Sequence, residues 1–186
     1  MNHTLHISEL YRHLPICRVN DKLYIAAFIL LGDVELTVTC AKALLELAPA
    51  HDYLITLEAK SIPLIHEMAR QSGQNKYFVI RKSPKLYMRG VIQTEVNSIT
   101  TEHTQKLFLD KADADMIRGK RMLLIDDVIS TGESMSALED LVLKSGGTVA
   151  GRMAVLAEGA AAQRKDIIYI EKLPLFSADG SIKEYY

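Results

Sequence analysis

A chain of 186 residues with 22 Lys and Arg against 23 Asp and Glu has a formal net charge of −1, which argues against a broad electrostatic surface for nucleic acid. Apolar residues make up 48% and charged residues 24%, the balance of a soluble globular protein, and one domain of this size can bury about 70% of its unfolded surface without disulfides. Cys17 and Cys40 form no C-x-x-C pair, so no metal or redox framework is expected and a reducing, cytoplasmic setting fits.

The apolar run 24–31 is too short to cross a bilayer and no secretory pattern precedes it, so no membrane partner is expected. In chain order, residues 1–22 read as irregular and mixed, with His3 and His6 solvated in a mobile terminus. Residues 33–47 carry a helical pattern that ends at Ala48-Pro49-Ala50. Residues 53–57 form a short apolar strand, 62–72 a helix stopped near Gly73, and 77–80 the next strand. This alternation predicts an α/β fold, a central and mostly parallel sheet flanked by helices with right-handed crossovers. Residues 81–106 differ. They are polar, rich in Thr and Ser, and hold Pro84 and Gly90, with enough β-branched residues for a hairpin. A long excursion of this kind inside a compact domain predicts a lid or binding loop. Residues 121–125 form the central strand, 134–145 its helix with Gly146-Gly147 as the stop, 148–157 a further strand and 167–170 a last one. No repeat or linker interrupts the pattern, so residues 1–186 read as a single domain.

The most informative segment is Met122-Leu123-Leu124-Ile125-Asp126-Asp127-Val128-Ile129-Ser130-Thr131-Gly132-Glu133-Ser134. Four apolar residues run into two carboxylates, a short polar turn follows, and Met135, Leu138, Leu141 and Val142 then recur at helical spacing. The loop therefore lies at the carboxyl end of a strand and the amino end of a helix, where open α/β sheets place ligands. Unpaired N–H groups of the first helical turn, with Gly132 allowing close backbone approach, make a phosphate cradle, and Ser130, Thr131 and Ser134 add hydroxyl donors. Two carboxylates would repel a phosphate. They make sense if they face another part of the same ligand, such as sugar hydroxyls or a bound cation.

This string resembles the phosphoribosyl-diphosphate (PRPP) signature of the type I phosphoribosyltransferases. The resemblance implies that family's fold, with a flexible β-hairpin loop over residues 81–106 and a small hood drawn partly from residues 1–50. It implies that Ile129, Ser130, Thr131, Gly132, Glu133 and Ser134 hold the ribose 5-phosphate. Asp126 and Asp127 would face the ribose hydroxyls near magnesium (Mg2+), directly or through water.

Glu58-Ala59-Lys60-Ser61-Ile62 is a second strand-to-helix loop and so a second candidate anion site. It resembles the diphosphate loop of purine phosphoribosyltransferases, usually Glu-Ala-Arg-Gly, where family members often hold a non-proline cis peptide. Lys60 would carry the cationic role, and the backbone of Ala59 to Ser61 would donate to diphosphate, with Ser61 standing where glycine is usual. Arg81-Lys82-Ser83-Pro84-Lys85-Leu86 resembles the Arg-Lys-x-Gly-Lys-Leu segment of the adenine enzymes, with Pro84 in place of glycine and Tyr87 in place of proline. Its cations Arg81, Lys82 and Lys85 would reach the diphosphate. Thr101-Glu102-His103-Thr104 partly matches a Glu-Tyr-Gly segment of those enzymes, which makes Glu102 the candidate general acid/base, with His103 the alternative on pKa grounds. Tyr11, Tyr24, Phe28 and Phe176 are aromatics for stacking on a flat base or, each of them, for core packing.

The activity so implied is transfer of phosphoribosyl from PRPP to a nucleobase with release of diphosphate, a purine-salvage reaction. Adenine is slightly favoured by the 81–86 segment and Glu102; xanthine, guanine and orotate stay open. A homodimer is implied by the same resemblance. The alternative is a regulator that senses PRPP without turning it over. The residues ahead of Leu54 are too few for a clear DNA-binding domain, so nucleic acid is not an expected partner.

Overall fold

Five parallel strands form the centre of the structure, a computed structural model that describes residues 1–96 and 105–183. In chain order the elements are β1 (Asn2–Ile7), β2 (Leu10–Asn20), β3 (Leu23–Ala26), α1 (Val34–Leu47), β4 (Tyr53–Leu57), α2 (Ile62–Gln71) and β5 (Phe78–Ile80). There follow β6 (Ile92–Val96), β7 (Gln105–Leu109), α3 (Lys111–Ile117), β8 (Arg121–Ile129), α4 (Glu133–Lys144), β9 (Thr148–Glu158), a 3-10 turn (Gly159–Gln163), β10 (Ile168–Leu173) and β11 (Leu175–Phe176).

The central sheet has the order β10-β9-β8-β4-β5 and all four pairings are parallel. A parallel strand covered on both faces needs apolar residues on both, which is why Met122 to Ile125 form an unbroken buried run. Alternation then sorts them. Leu123 and Ile125 join Leu54, Met153 and Val155 against Leu36 and Leu44 of α1 and Leu64 and Met68 of α2. Met122 and Leu124 join Ile55 and Ala154 against Leu138 and Leu141 of α4, Ile117 of α3 and Leu107 and Leu109 of β7. From β4 the chain moves to β5 on one side; from β8 it moves to β9 and β10 on the other. The strand order therefore reverses between β4 and β8, and a crevice opens beyond their carboxyl ends.

Residues 1–22 are not irregular, contrary to the sequence reading, and His3 and His6 lie in a strand. β1, β2, β3 and β11 form a four-stranded antiparallel sheet, the hood. β1 and β2 alternate polar and apolar faces with few apolar residues each, and of these two strands only Leu5, Ile7 and Leu14 are buried. Such thin two-residue periodicity is hard to tell from a mixed tail. The hood is tied to α1 through Asp33. That residue caps the helix by accepting from the Leu36 N–H at 3.0 Å, and it also accepts from Arg12 of β2, from Nε at 2.6 Å and Nη2 at 3.1 Å.

The 81–106 excursion does contain a hairpin, β6 with β7, but its stem belongs to the core. Leu107 and Leu109 are buried, Arg81 and Phe108 exchange backbone hydrogen bonds, and Thr94 donates to Asp140 of α4. The short helix α3 and the two-residue strand β11 had no counterpart in the sequence reading. β8 also runs past Ile125, so both acids stand in the strand rather than in the loop after it.

Candidate active site

The β4–α2 and β8–α4 loops lie side by side because β4 and β8 are paired, Thr56 beside Ile125, with the buried Thr56 hydroxyl donating to the Ile125 carbonyl at 2.7 Å. Between them lies a polar cavity of about 190 Å³ walled by Ala59, Lys60, Ser61, Lys82, Asp126, Asp127 and Ser134. Residues from both signature loops and from the basic segment thus meet in one place.

The acids are unequal. Asp127 is 5% exposed, and its Oδ2 is buried without a hydrogen-bond partner among the described residues. Asp126 accepts the Ser61 hydroxyl at 2.9 Å and the Asp127 N–H at 2.9 Å. Burial first, and then the neighbouring Asp127 carboxylate, push the Asp126 carboxyl above the usual carboxylate range. A pair like this is short of positive charge and donors. An orphaned buried carboxylate oxygen beside a second carboxylate fits a hard cation, and magnesium takes one or two carboxylates and completes its shell with water and substrate oxygens. No group of three or more His, Cys, Asp or Glu able to hold a metal occurs among the described residues, so a cage made of protein alone is absent there.

Ile129 is the buried last residue of β8, and Ser130 and Thr131 are exposed beyond it. Gly132 caps α4 with φ 84°, in the left-handed region, and no side chain bonds the first-turn N–H groups. The first helical bond runs from Ser136 N to the Gly132 carbonyl, which leaves the N–H groups of Glu133, Ser134 and Met135 as the orphan donors of the helix start. This is an anion cradle with glycine where the backbone must come close. Sequence reasoning missed Arg164. Its guanidinium is held by Asp166 through Nε at 2.9 Å and Nη2 at 2.6 Å and lies against Gly132, so that a Cβ there would run into it. No local signal in the sequence ties residue 164 to residue 132; the end of β9 brings them together.

In the second loop the Glu58–Ala59 peptide is cis. Ser61 is 1% exposed and stands at the N-cap of α2, but its hydroxyl does not cap the helix and turns to Asp126 instead. Lys60 is exposed and lines the cavity, as does Lys82. Arg81 and Lys85 do not line it. Arg81 Nε lies 3.2 Å from Glu58 Oε2, and the Lys85 ammonium donates to the Ser83 hydroxyl at 2.9 Å. Glu102 and His103 lie outside the described residues.

A second cavity, about 430 Å³, opens on the other side of the β8–α4 loop, between that loop and the hood. Val19, Leu23, Ile25 and Leu175 give it apolar walls, Ser130 and Thr131 form its edge, and Glu158 at the end of β9 reaches it. None of the four candidate aromatics lines it. Phe28 and Phe176 are core, Tyr24 packs against the core, and Tyr11 is 63% exposed and stacked on His6.

A parallel sheet with two acids at its switch point and an anion cradle beside them is an arrangement that suits a phosphorylated ligand. The chain belongs to the phosphoribosyl transferase domain family, whose model matches residues 40–182. An adenine phosphoribosyltransferase of Bifidobacterium animalis subsp. lactis is 33% identical over 113 residues, covering 59% of this chain and 55% of the relative. A hypoxanthine/guanine phosphoribosyltransferase of Methanotorris igneus is 29% identical over 108 residues, covering 58% of this chain and 55% of the relative. The match thus spans about half the length of these curated relatives. Among solved structures, the adenine phosphoribosyltransferase of Thermoanaerobacter pseudethanolicus aligns with a TM-score of 0.65 at 22% identity, covering 76% of this chain and 83% of that one. That of Leishmania tarentolae gives 0.60 at 19%, covering 74% and 71%. At such identities the likeness is one of fold, and it includes the parallel central sheet flanked by helices.

Proposed function

We propose that this protein is a purine phosphoribosyltransferase that moves the phosphoribosyl group of PRPP to a ring nitrogen of a purine base and releases diphosphate. The observation that carries the reading is that one loop, between β8 and α4, has on one side a polar cavity lined by Asp126, Asp127 and Glu58 with Lys60 and Lys82, and on the other an apolar cavity of base-binding size. A ribose bridging the two would bring its 5-phosphate to the orphan N–H groups of α4, with Ser130, Thr131 and Ser134 as added donors.

In the reaction the anomeric carbon loses its diphosphate as the base nitrogen approaches. Positive charge grows on the ribose while negative charge gathers on the leaving group. Asp126 and Asp127 hold the ribose hydroxyls and face the growing positive charge. Lys60 and Lys82, with N–H groups of the Ala59–Ser61 turn, meet the diphosphate, and Arg81 and Lys85 stand behind them on the approach. Positioning and fixed charge of this kind supply most of the rate in such transfers. Asp126 and Asp127 would hold magnesium, which neutralises diphosphate charge when bound. Glu102, between β6 and β7 in the chain, is the proposed acid/base at the purine. Closure of the hairpin would keep water from the activated sugar.

The relatives' names divide between adenine and hypoxanthine/guanine. The resemblance of the 81–86 segment and of Glu102 to the adenine enzymes leans slightly to adenine. A homodimer is part of the same proposal, supported by Val34 (75% exposed) and Val38 (40%), one turn apart on the outer face of α1. No helix among the described residues is long and apolar enough to cross a membrane.

The test is to incubate the protein with magnesium, PRPP and each base singly and to follow diphosphate release. Release that depends on one purine is the expected result. If no base is consumed while PRPP still raises the melting temperature, the protein binds PRPP without turning it over and the transferase reading fails.

A further inference from the structure

We propose that Glu158 selects the base and favours a purine presenting two adjacent N–H donors, as guanine does at N1 and its 2-amino group, over adenine. This rests on the transferase reading above and deepens it. Of the described residues lining the apolar cavity, Glu158 alone is charged; the walls are aliphatic, from Val19, Leu23 and Ile25 of the hood and from Leu175. Glu158 stands at the N-cap of the 3-10 turn but makes no capping bond. Among the described residues its carboxylate meets no hydrogen-bond or ion-pair partner. Two other acids near the loops are engaged, Asp126 with Ser61 and Glu58 with Arg81.

A carboxylate in an apolar slot is costly unless donors meet it. When ionised it offers acceptors only. Burial raises the Glu158 carboxyl above its ordinary range, only partly offset by the charge of Lys60, so a bidentate donor would relieve the desolvation. Guanine can donate twice in parallel to one carboxylate. Adenine offers an amino donor beside the N1 lone pair, which would face a carboxylate oxygen and be repelled. The chemistry of this one side chain therefore runs against the slight adenine preference of the 81–86 segment.

Glutamine inverts the pattern, because its amide offers one acceptor and one donor and so matches the amino group and N1 of adenine. The experiment measures kcat and KM for guanine, hypoxanthine and adenine, and KM for PRPP, in the wild type, Glu158→Gln and Glu158→Ala, with melting temperatures as the folding check. A charged hydrogen bond is worth a factor of about 10–100. Wild type should prefer guanine to adenine by at least about 10-fold in kcat/KM. Glu158→Gln should lose about 10-fold or more for guanine and gain for adenine, while Glu158→Ala loses for guanine without that gain, and KM for PRPP stays within about twofold in both. A wild type that prefers adenine overturns the proposal without any variant. So does a guanine-to-adenine ratio that Glu158→Gln leaves unchanged. Either result leaves the transferase reading intact, whereas no turnover of any purine by the wild type removes both together.

Discussion

The Ser61 hydroxyl donates to Asp126 Oδ1 at 2.9 Å, so the residue that opens α2 is bonded to an acid at the end of β8. It lies 3.4 Å from Asp127 Oδ1 as well. One buried hydroxyl is thus shared by two carboxylates. Ser61→Ala should remove a hydrogen bond to charge worth about 1.5–3 kcal/mol and lower the melting temperature of the ligand-free protein by roughly 3–10 °C. Differential scanning calorimetry without and with magnesium-PRPP checks this; an unchanged melting temperature would mean that the bond contributes nothing.

Asp126 should leave a signature in pH. Its folded carboxyl is raised, by burial first and by Asp127 second, so the native state holds that proton more tightly than the unfolded chain does. The stability it contributes is present below the unfolded value of about 3.9 and is lost as pH rises through the folded value. Subtracting the stability–pH curve of Asp126→Asn from that of the wild type gives the loss due to the Asp126–Asp127 pair, because carboxyls elsewhere act the same in both. The difference should grow against the wild type from acid pH towards neutrality, and two parallel curves would contradict it.

Gly132 should not tolerate a side chain. At φ 84° an L residue is strained, and a Cβ would run into the Arg164 guanidinium. Gly132→Ala should lower stability by about 1–2 kcal/mol and raise KM for PRPP at least about tenfold, since the backbone N–H groups beside it must come close to a phosphate. Steady-state kinetics and urea unfolding check both, and a variant with the wild-type KM would move the phosphate elsewhere.

The placement of the candidate site residues was more legible in the sequence than their surroundings. Asp126, Asp127, Lys60 and Ser61 sit in two short strings whose order, apolar strand and then polar turn and then helix, fixes their place at the sheet's crevice; local rules suffice for that. The ends of α1, β4 and α2 were legible for the same reason, Asp33 and Pro49 bounding one helix and Gly73 stopping the other. The hood was not legible. β1 and β2 bury one face only and carry His and Thr among their apolar residues, so their period is faint. Arg164 and Glu158 were invisible because what they touch is set by where β9 ends, which depends on its pairing with β8 and on no neighbouring residue. Arg81, expected from the sequence to reach the diphosphate, pairs with Glu58 across two strand ends.

Asp33 makes a testable joint between hood and core. It caps α1 and holds Arg12 of β2, and the Arg12 guanidinium keeps its carboxyl below the ordinary range. A carboxyl lowered in this way stabilises the fold above the unfolded value and loses that effect as pH falls through the folded one. Asp33→Ala should cost about 1 kcal/mol at neutral pH and less at acid pH, read from urea unfolding at both, and should raise KM for the base rather than for PRPP because the hood walls the apolar cavity. An equal loss at both pH values would show that ionisation of Asp33 is not involved.

The rate of diphosphate release by the Asp126→Asn, Asp127→Asn double variant, at saturating magnesium-PRPP and the preferred base, bears most directly on whether the two acids grip the ribose. The expected result is a fall of at least about 100-fold with a melting temperature no lower than that of the wild type, because the repulsion between the carboxylates has gone. Wild-type turnover in a folded double variant would contradict it.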